Sequence, residues 1–356
     1  MTIRNEDDTC EPDLLQDELI ERMTFTVDKG QQLLRIDKYL HHLIGGNISR
    51  TKIRYAADAG NITVNGKPVK QNYKVRGGDV IDLIIPRPPS YDLIPENIPL
   101  NILYEDEDVI VINKDPYMVM HPGLGNPSGT LINALLWHFK DLPPKDGEPL
   151  RPGLVHRIDK GTSGVVVVAK SELALAHLAG QFYHKTTKRQ YLALVWGDIK
   201  NDSGTISVNI GRHGREHRQF QAFPEGDFGK PAITHYRVLE RFHYVTLVSC
   251  ELETGRTHQI RVHMKHIGHT LFNDERYGGN KILKGTVYTR YKQFIENCFA
   301  IMPRQALHAA TLGFVHPRTG REMYFECPLP DDFATVLEKW RKYFHGTLSQ
   351  QEERSP

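Results

Sequence analysis

Within residues 152–170, PGLVHRIDKGTSGVVVVAK, the turn at 156–163 crowds together one carboxylate, three basic side chains and two hydroxyls. His156, Arg157, Asp159, Lys160, Thr162 and Ser163 lie between an apolar entry and an unbroken β-branched run from Val165 to Val168. β-Branched side chains pack well on a pleated sheet, and Gly161 and Gly164 permit a bend, so two buried strands joined by a turn are predicted. A structural turn does not need this density of reactive groups. Turns on rigid strands are where sites are commonly built, which makes Asp159 a candidate nucleophile or general base.

A second chemical block, VTLVSCELETGRTHQIRVHMKHIGH, reads as a strand, a turn at Gly255 and a helix. Ile260, His263, Met264 and Ile267 share one helical face, Gly268 is the stop, and Arg256 precedes the helix. Tyr191, in the strand QYLALVWG, is by residue type alone a packed aromatic. His258, His263, His266 and His269 lack an HExxH or Cys/His grouping, so no metal site is expected. GLGNPSG is interrupted by Pro127 and lies well past the preceding strand, so it reads as a loop leading to Thr130, a cap for TLINALLWHF, and not as a phosphate cradle. One carboxylate, an arginine and a tyrosine, with no cofactor loop, permit covalent or general-base catalysis on a substrate that brings its own leaving group.

The elements around these residues fall into modules. Residues 1–30 are acidic, nine Asp and Glu against Arg4, Arg22 and Lys29, and read as a loose tail whose last part, MTFTVDK, has the alternative of an edge strand. Residues 31–86 hold two short helices, the second capped by Ser49 and stopped at Gly60, then a hairpin turning at Asn65-Gly66. In this module Arg35, Lys38, Arg50, Lys52, Arg54, Lys67, Lys70, Lys74 and Arg76 outnumber Asp37, Asp58, Asp79 and Asp82, a balance suited to phosphates. The prolines of residues 87–100 mark an extended linker. Residues 101–345 form the larger domain, ending in the amphipathic helix LPDDFATVLEKWRKYF, and 346–356 read as a polar tail. The residues alone describe a metal-free, carboxylate-dependent enzyme acting on RNA.

HRIDKGTSG closely resembles the HRLDxxTSG signature of the RluA-type pseudouridine synthases, with Ile158 replacing the usual Leu. YEDEDVIVINK, GTLINALLWH, KRQYLALVWG, ETGRTHQIRVHMKHIGH, HxxxxDxRYGG at 269–279 and RQALHAATLGFVHPRTG follow in that family's order over roughly residues 100–330. Asp115 departs from the proline common after NK. RIDKYL, ISRTKIRYAADAGNITVNG and GGDVI resemble an S4 RNA-binding domain.

The resemblance implies an α+β fold: a mixed, largely antiparallel sheet with flanking helices and a central cleft, plus a small S4 domain on a flexible tether. It implies isomerisation of uridine to pseudouridine without a cofactor, with Asp159 catalytic, Tyr191 against the target base and Arg256 orienting Asp159. His156, Arg157, Thr162 and Ile260 are then expected to contact substrate, Arg157 filling the gap left by a flipped base. Arg35, Lys38, Arg50, Lys52, Arg54 and Lys70 are the expected RNA-binding residues of the S4 domain. The domain order resembles the large-subunit ribosomal RNA enzymes of the family, whose substrate is that RNA or an assembling particle. The alternatives are the same chemistry on tRNA or other ribosomal sites, a non-catalytic ribosome-assembly factor, and a glycosidase that releases uracil.

At 356 residues two domains are expected, and a net charge of +2 does not by itself announce a nucleic-acid partner. No apolar run approaches the roughly 20 residues of a membrane span, and the acidic start lacks a signal-peptide pattern. Cys10, Cys250, Cys298 and Cys327 are scattered without a CxxC, as expected of free thiols in a reducing cytoplasm. No heptad or exposed apolar helix points to a partner copy, so a monomer is expected.

Overall fold

The computed structural model describes residues 20–45, 48–86, 93–123, 125–140, 152–214, 216, 219–286 and 288–352. The N-terminal module begins earlier than its helices suggest. Strand β1 (Ile20–Thr26) is an edge strand; two helices follow, α1 (Ile36–Leu43) and α2 (Arg50–Asp58), then strands β2 (Ile62–Val64) and β3 (Val80–Pro86). β1 pairs antiparallel along the whole of β3, so the tail expected over residues 1–30 gives way to the module at Ile20, and residues 1–19 lie outside the described residues. The Ser49 hydroxyl caps α2 by accepting from the Lys52 amide, and Asn65-Gly66 turns the hairpin with both residues at positive φ, 49° and 77°.

The larger domain is built on one long sheet. Its strands in chain order are β4 (Ile102–Glu105), β5 (Val109–Lys114), β6 (Ser163–Ala169), β7 (Lys188–Trp196), β8 (Ser203–Ser207), β11 (Ile233–Arg241), β12 (Val245–Leu252), β13 (Leu307–Val315) and β14 (Glu322–Glu326), with a two-residue strand, Gly153–Leu154, added antiparallel on β6; a separate hairpin, β9 (Asn209–Arg212) and β10 (Phe220–Phe223), interrupts them. The spatial order is β8-β11-β12-β7-β13-β6-β5-β4, with β14 on β13. Its named strand pairs are antiparallel except β6 with β13, a parallel step at the middle of the sheet. This is the mixed, largely antiparallel sheet expected from the sequence. Gly164 makes the parallel step possible: its φ is +123°, and a Cβ there would lie 2.2 Å from the Ala309 carbonyl oxygen.

β6 is buried along its whole length because helices cover both faces of the sheet, which is what its run of valines demands. On one face Val166 and Val168 pack with Tyr191, α3 (Leu131–Phe139) and α5 (Gln259–His266); on the other, Val165 and Val167 pack with α4 (Glu172–Tyr183). α6 (Thr289–Ile301) and α7 (Asp331–Glu352) enclose a further core around Trp196, Phe272 and Trp340. The α7 backbone continues to Glu352, past the boundary drawn at residue 345. Thr130 and Asn133 form a reciprocal capping box on α3, as the sequence predicts for Thr130.

The S4-like module is docked, not tethered loosely. Ile20 and Ile84 join the core under α4, the Asn61 amide donates to the Ala176 carbonyl at 2.7 Å, and Lys52 pairs with Glu172 at 3.1 Å. The second half of the linker lies along α3: Glu96 donates its amide to Asn133, and the Asn133 side chain donates to Ile94. Cys250, Cys298 and Cys327 are buried free thiols; Cys10 lies outside the described residues. No helix among the described residues is long and apolar enough to cross a membrane.

A Cβ on Gly180 of α4 would lie 2.4 Å from the Asn61 side-chain oxygen, and Asn61 is itself fully buried. Gly180→Leu should therefore undock the module and raise the radius of gyration in small-angle scattering, whereas Asn61→Ala, which removes one hydrogen bond worth about 1 kcal/mol, should leave it near wild type. An unchanged scattering curve for Gly180→Leu would contradict the docked arrangement.

Candidate active site

Three loops meet at the start of β6. The first, residues 157–162, is closed by the Thr162 amide donating to the Asp159 carbonyl at 2.9 Å. It is braced from behind: Arg304 Nη1 donates to the Gly161 carbonyl at 2.9 Å, and the Gln305 side chain donates to the Thr162 hydroxyl at 3.3 Å. From the other side the Tyr117 amide donates to the Lys160 carbonyl at 2.7 Å.

The second loop leads into α5. His258 sits in the left-handed region (φ 55°) and turns the chain into the helix, while Gln259 ties the loop down by accepting from Thr254 Oγ1 and the Arg256 amide and donating to Ile233 O and Thr234 Oγ1. α5 is buried on every side from Gln259 to Met264, so its charged residue, Arg261, must find anions. The third loop, residues 271–279, supplies one. Its backbone is drawn tight where Gly279 donates to the Asp274 carbonyl, leaving Asp274 to cap the 3-10 turn Glu275–Tyr277.

The result is a linear charge cluster. Arg261 Nε and Nη2 donate to the two Asp274 oxygens at 2.7 and 2.9 Å, and the remaining Nη1 donates to Asp159 Oδ2 at 2.8 Å. Asp274 and Arg261 are buried, whereas the Asp159 side chain keeps 19% exposure at the mouth of the site. Burial works against ionisation of Asp159, but the positive charges around it, the Arg261 guanidinium that donates to it and Arg157, outweigh it and hold the carboxyl well below the usual carboxylate range.

His258 is kept neutral, its pKa driven well below the ordinary value by burial and by Arg261. The Phe220 amide donates to the Tyr277 hydroxyl oxygen at 3.2 Å, and that hydroxyl is hydrogen-bonded to His258 Nδ1 at 2.8 Å. His258 Nε2 lies 3.8 Å from Asp159 Oδ2. Tyr191 completes the site. The pairing of β7 with β13 shifts by one residue between Gln190 and Tyr191, a bulge that re-aims the side chain. Burial raises the Tyr191 pKa, so its hydroxyl is protonated at neutral pH and available as a donor.

Of the residues singled out in the sequence, Asp159 and Tyr191 come together here, within electrostatic reach of each other, and Arg157 acts on the Asp159 carboxyl. Arg256 is displaced from its expected place: Arg261 bonds Asp159, while Arg256 Nε donates to the Pro231 carbonyl at 3.2 Å. Arg256 stays in the loop ahead of α5, its amide held by the Gln259 side chain, while Arg261 is carried to Asp159 by the helix itself. His156 is enclosed: its ring stacks on Phe182 and its Nε2 accepts the Val167 amide at 3.0 Å, so it braces β6 and does not face a substrate. Thr162 is buried as a brace of the loop, and Ile260 is a buried neighbour of Tyr191 and Ile158.

In the S4-like module Lys38, Arg54 and Lys70 are exposed, and Arg35 and Arg50 converge on the buried Asp37 with their outer faces in solvent. Lys52 is also exposed and pairs with Glu172 at the junction. Sequence reasoning missed Arg261, Asp274, His258 and Tyr277; RTHQIR and the HxxxxDxRYGG pattern contain all four, but not their pairing. The histidines of the α5 region have separate partners: His263 bonds Thr234, and His269 bonds the Trp196 carbonyl.

Comparison with known proteins adds to this geometry. Residues 108–266 match the family model described as RNA pseudouridylate synthase, and residues 34–81 match that of the S4 domain. An uncharacterized RNA pseudouridine synthase of Chlorobaculum parvum is 47% identical over 92% of this chain and 100% of its own length. A ribosomal large subunit pseudouridine synthase D of Vibrio parahaemolyticus is 40% identical over 90% of this chain and 95% of its own. Among solved structures, the human RNA pseudouridylate synthase domain containing 4 protein aligns with a TM-score of 0.54 at 25% identity, over 68% of this chain and 93% of that one.

The two arginines separate by experiment. Arg261→Gln should lower single-turnover rate by about 10²–10³-fold, the scale of losing one preorganised electrostatic partner, whereas Arg256→Gln should cost under about tenfold. Equal losses in both variants would contradict the assignment of Arg261 as the partner of Asp159.

Proposed function

The chain belongs to the RNA pseudouridylate synthase family, and we propose that it isomerises uridines of large-subunit ribosomal RNA with Asp159 as the catalytic carboxylate. The observation that carries this reading is an ionised, partly accessible Asp159 fixed by a buried arginine, at the centre of a chain similar over about nine-tenths of its length to ribosomal large subunit pseudouridine synthase D.

The reaction breaks the N1–C1′ bond of uridine, turns the uracil, and joins C5 to C1′; the proton leaves C5 and N1 regains one, so nothing is consumed. C1′ is inaccessible inside a helix, and the target nucleotide must therefore be extruded at a cost of a few kcal/mol. Asp159 supplies the negatively charged oxygen that begins the chemistry, as nucleophile or as base. Its depressed pKa keeps that oxygen unprotonated through the acid range, so the rate should show no acid limb from Asp159 near pH 4. Arg261 holds the reactive oxygen in place, Tyr191 lies against the uracil with a protonated hydroxyl, and Arg157 occupies the space vacated by the base. Lys38, Arg54 and Lys70 of the S4 domain add phosphate contacts, which should make affinity strongly salt-dependent.

The test is a pseudouridine map of ribosomal and transfer RNA from cells with and without the gene. Sites lost from large-subunit RNA, and restored by wild type but not by Asp159→Ala, are expected. Loss confined to tRNA would overturn the substrate, and rescue by Asp159→Ala would overturn the catalytic carboxylate. Purified Asp159→Asn should form no product yet bind RNA within about twofold of wild type; weakened binding of the same size as the lost turnover would point to a collapsed site.

A further inference from the structure

Tyr117 is an exposed aromatic held in a conformation that its residue type disfavours. Its φ is +71° and 46% of its surface is open to solvent. A bulky residue in the left-handed region is strained and persists only where its surroundings over-determine it. They do so here. Lys114, buried beneath the turn, donates from Nζ to the carbonyls of Asp115 and Met118 at 2.7 and 2.8 Å, on either side of Tyr117. The Tyr117 amide is fixed to the Lys160 carbonyl, the residue after Asp159.

The chain on its far side goes inward, where Met118 packs against the cluster that contains Ile158, Tyr191 and Ile260. The Tyr117 phenol lies within electrostatic range of Arg304 and Asp332, and burial of part of the ring raises its pKa, so the hydroxyl is neutral. The adjoining Lys160 ammonium is exposed and donates to Asn126 at 2.9 Å. A glycine would meet the backbone requirement without strain.

We propose that Tyr117 is a substrate-binding residue, a platform on which a base flanking the target uridine stacks. Extruding the uridine strips its neighbours of a stacking partner, and an aromatic face replaces it without regard to base identity. The inference rests on the reading of the chain as an enzyme acting on RNA. It deepens that reading by assigning a contact outside the uracil pocket, to the strand next to the target and not to the target itself.

Tyr117→Gly removes the ring and relieves the strain, so its thermal midpoint should equal or exceed that of wild type. Its affinity for an unmodified large-subunit ribosomal RNA transcript should fall about tenfold, the order of one base–aromatic stack, with Tyr117→Phe near wild type. The single-turnover rate at saturating RNA should change far less than the affinity. Tyr117→Gly with unchanged affinity would overturn the platform, as would a loss in Tyr117→Phe equal to that in Tyr117→Gly. Failure of the wild type to convert any uridine in that transcript is a separate result, one that counts against the ribosomal substrate.

Discussion

Everything in the site hangs on one buried guanidinium. Arg261 is enclosed by protein, and its three nitrogens each donate to a carboxylate, two to one in the interior and one to one at the mouth. The two-pronged bond to Asp274 uses the fork of the arginine and fixes its plane, so the remaining nitrogen can point only at Asp159. Removing one partner of such a buried pair costs about 3–5 kcal/mol, because the other charge is left stranded. The linkage has a definite sign. Asp159 is depressed below its unfolded value of roughly 3.9, so its contribution to stability is present above that pH and is lost only as the pH falls through the lower folded value.

The fold exists to bring three distant loops to that cluster. The parallel step between β6 and β13 sets the Asp159 loop against residues 304–305, which brace it, and the bulge in β7 aims Tyr191 at the same place. Helices on both faces lock β6 in register, since a one-residue slip would reverse every side chain. Docking of the S4 domain on α4 extends this rigidity: its basic surface stands at a fixed distance from Asp159, so RNA held by the module reaches the site in a limited set of geometries.

The sequence disclosed local features well and pairings poorly. The valine run of β6, the Thr130 and Ser49 caps, the Asn65-Gly66 turn and the Asp159 loop were readable because each depends on a few adjacent residues. Arg261 was not. An amphipathic pattern shows which residues face the core but not that the opposite face is covered too, so nothing in the spacing marks Arg261, inside α5, as a buried partner of Asp159. Asp274 lies on the far side of a loop whose closure depends on backbone contacts that no pattern records. His156 shares its stretch with reactive groups, yet its ring nitrogen is occupied by the Val167 amide; residue type alone does not separate a brace from a ligand. Lys52, an expected RNA contact, also pairs with Glu172 of the larger domain, a contact that no local pattern discloses.

Arg261, anchored by Asp274, keeps Asp159 ionised. The most direct measurement is a ¹³C NMR titration of the aspartate carboxyl carbons, with Asp159 assigned by its loss in Asp159→Asn, in wild type and in Arg261→Gln. Asp159 should titrate well below the other aspartates in the wild type and move up in Arg261→Gln. An Asp159 that titrates in the ordinary range, or one that stays depressed without Arg261, would contradict the account.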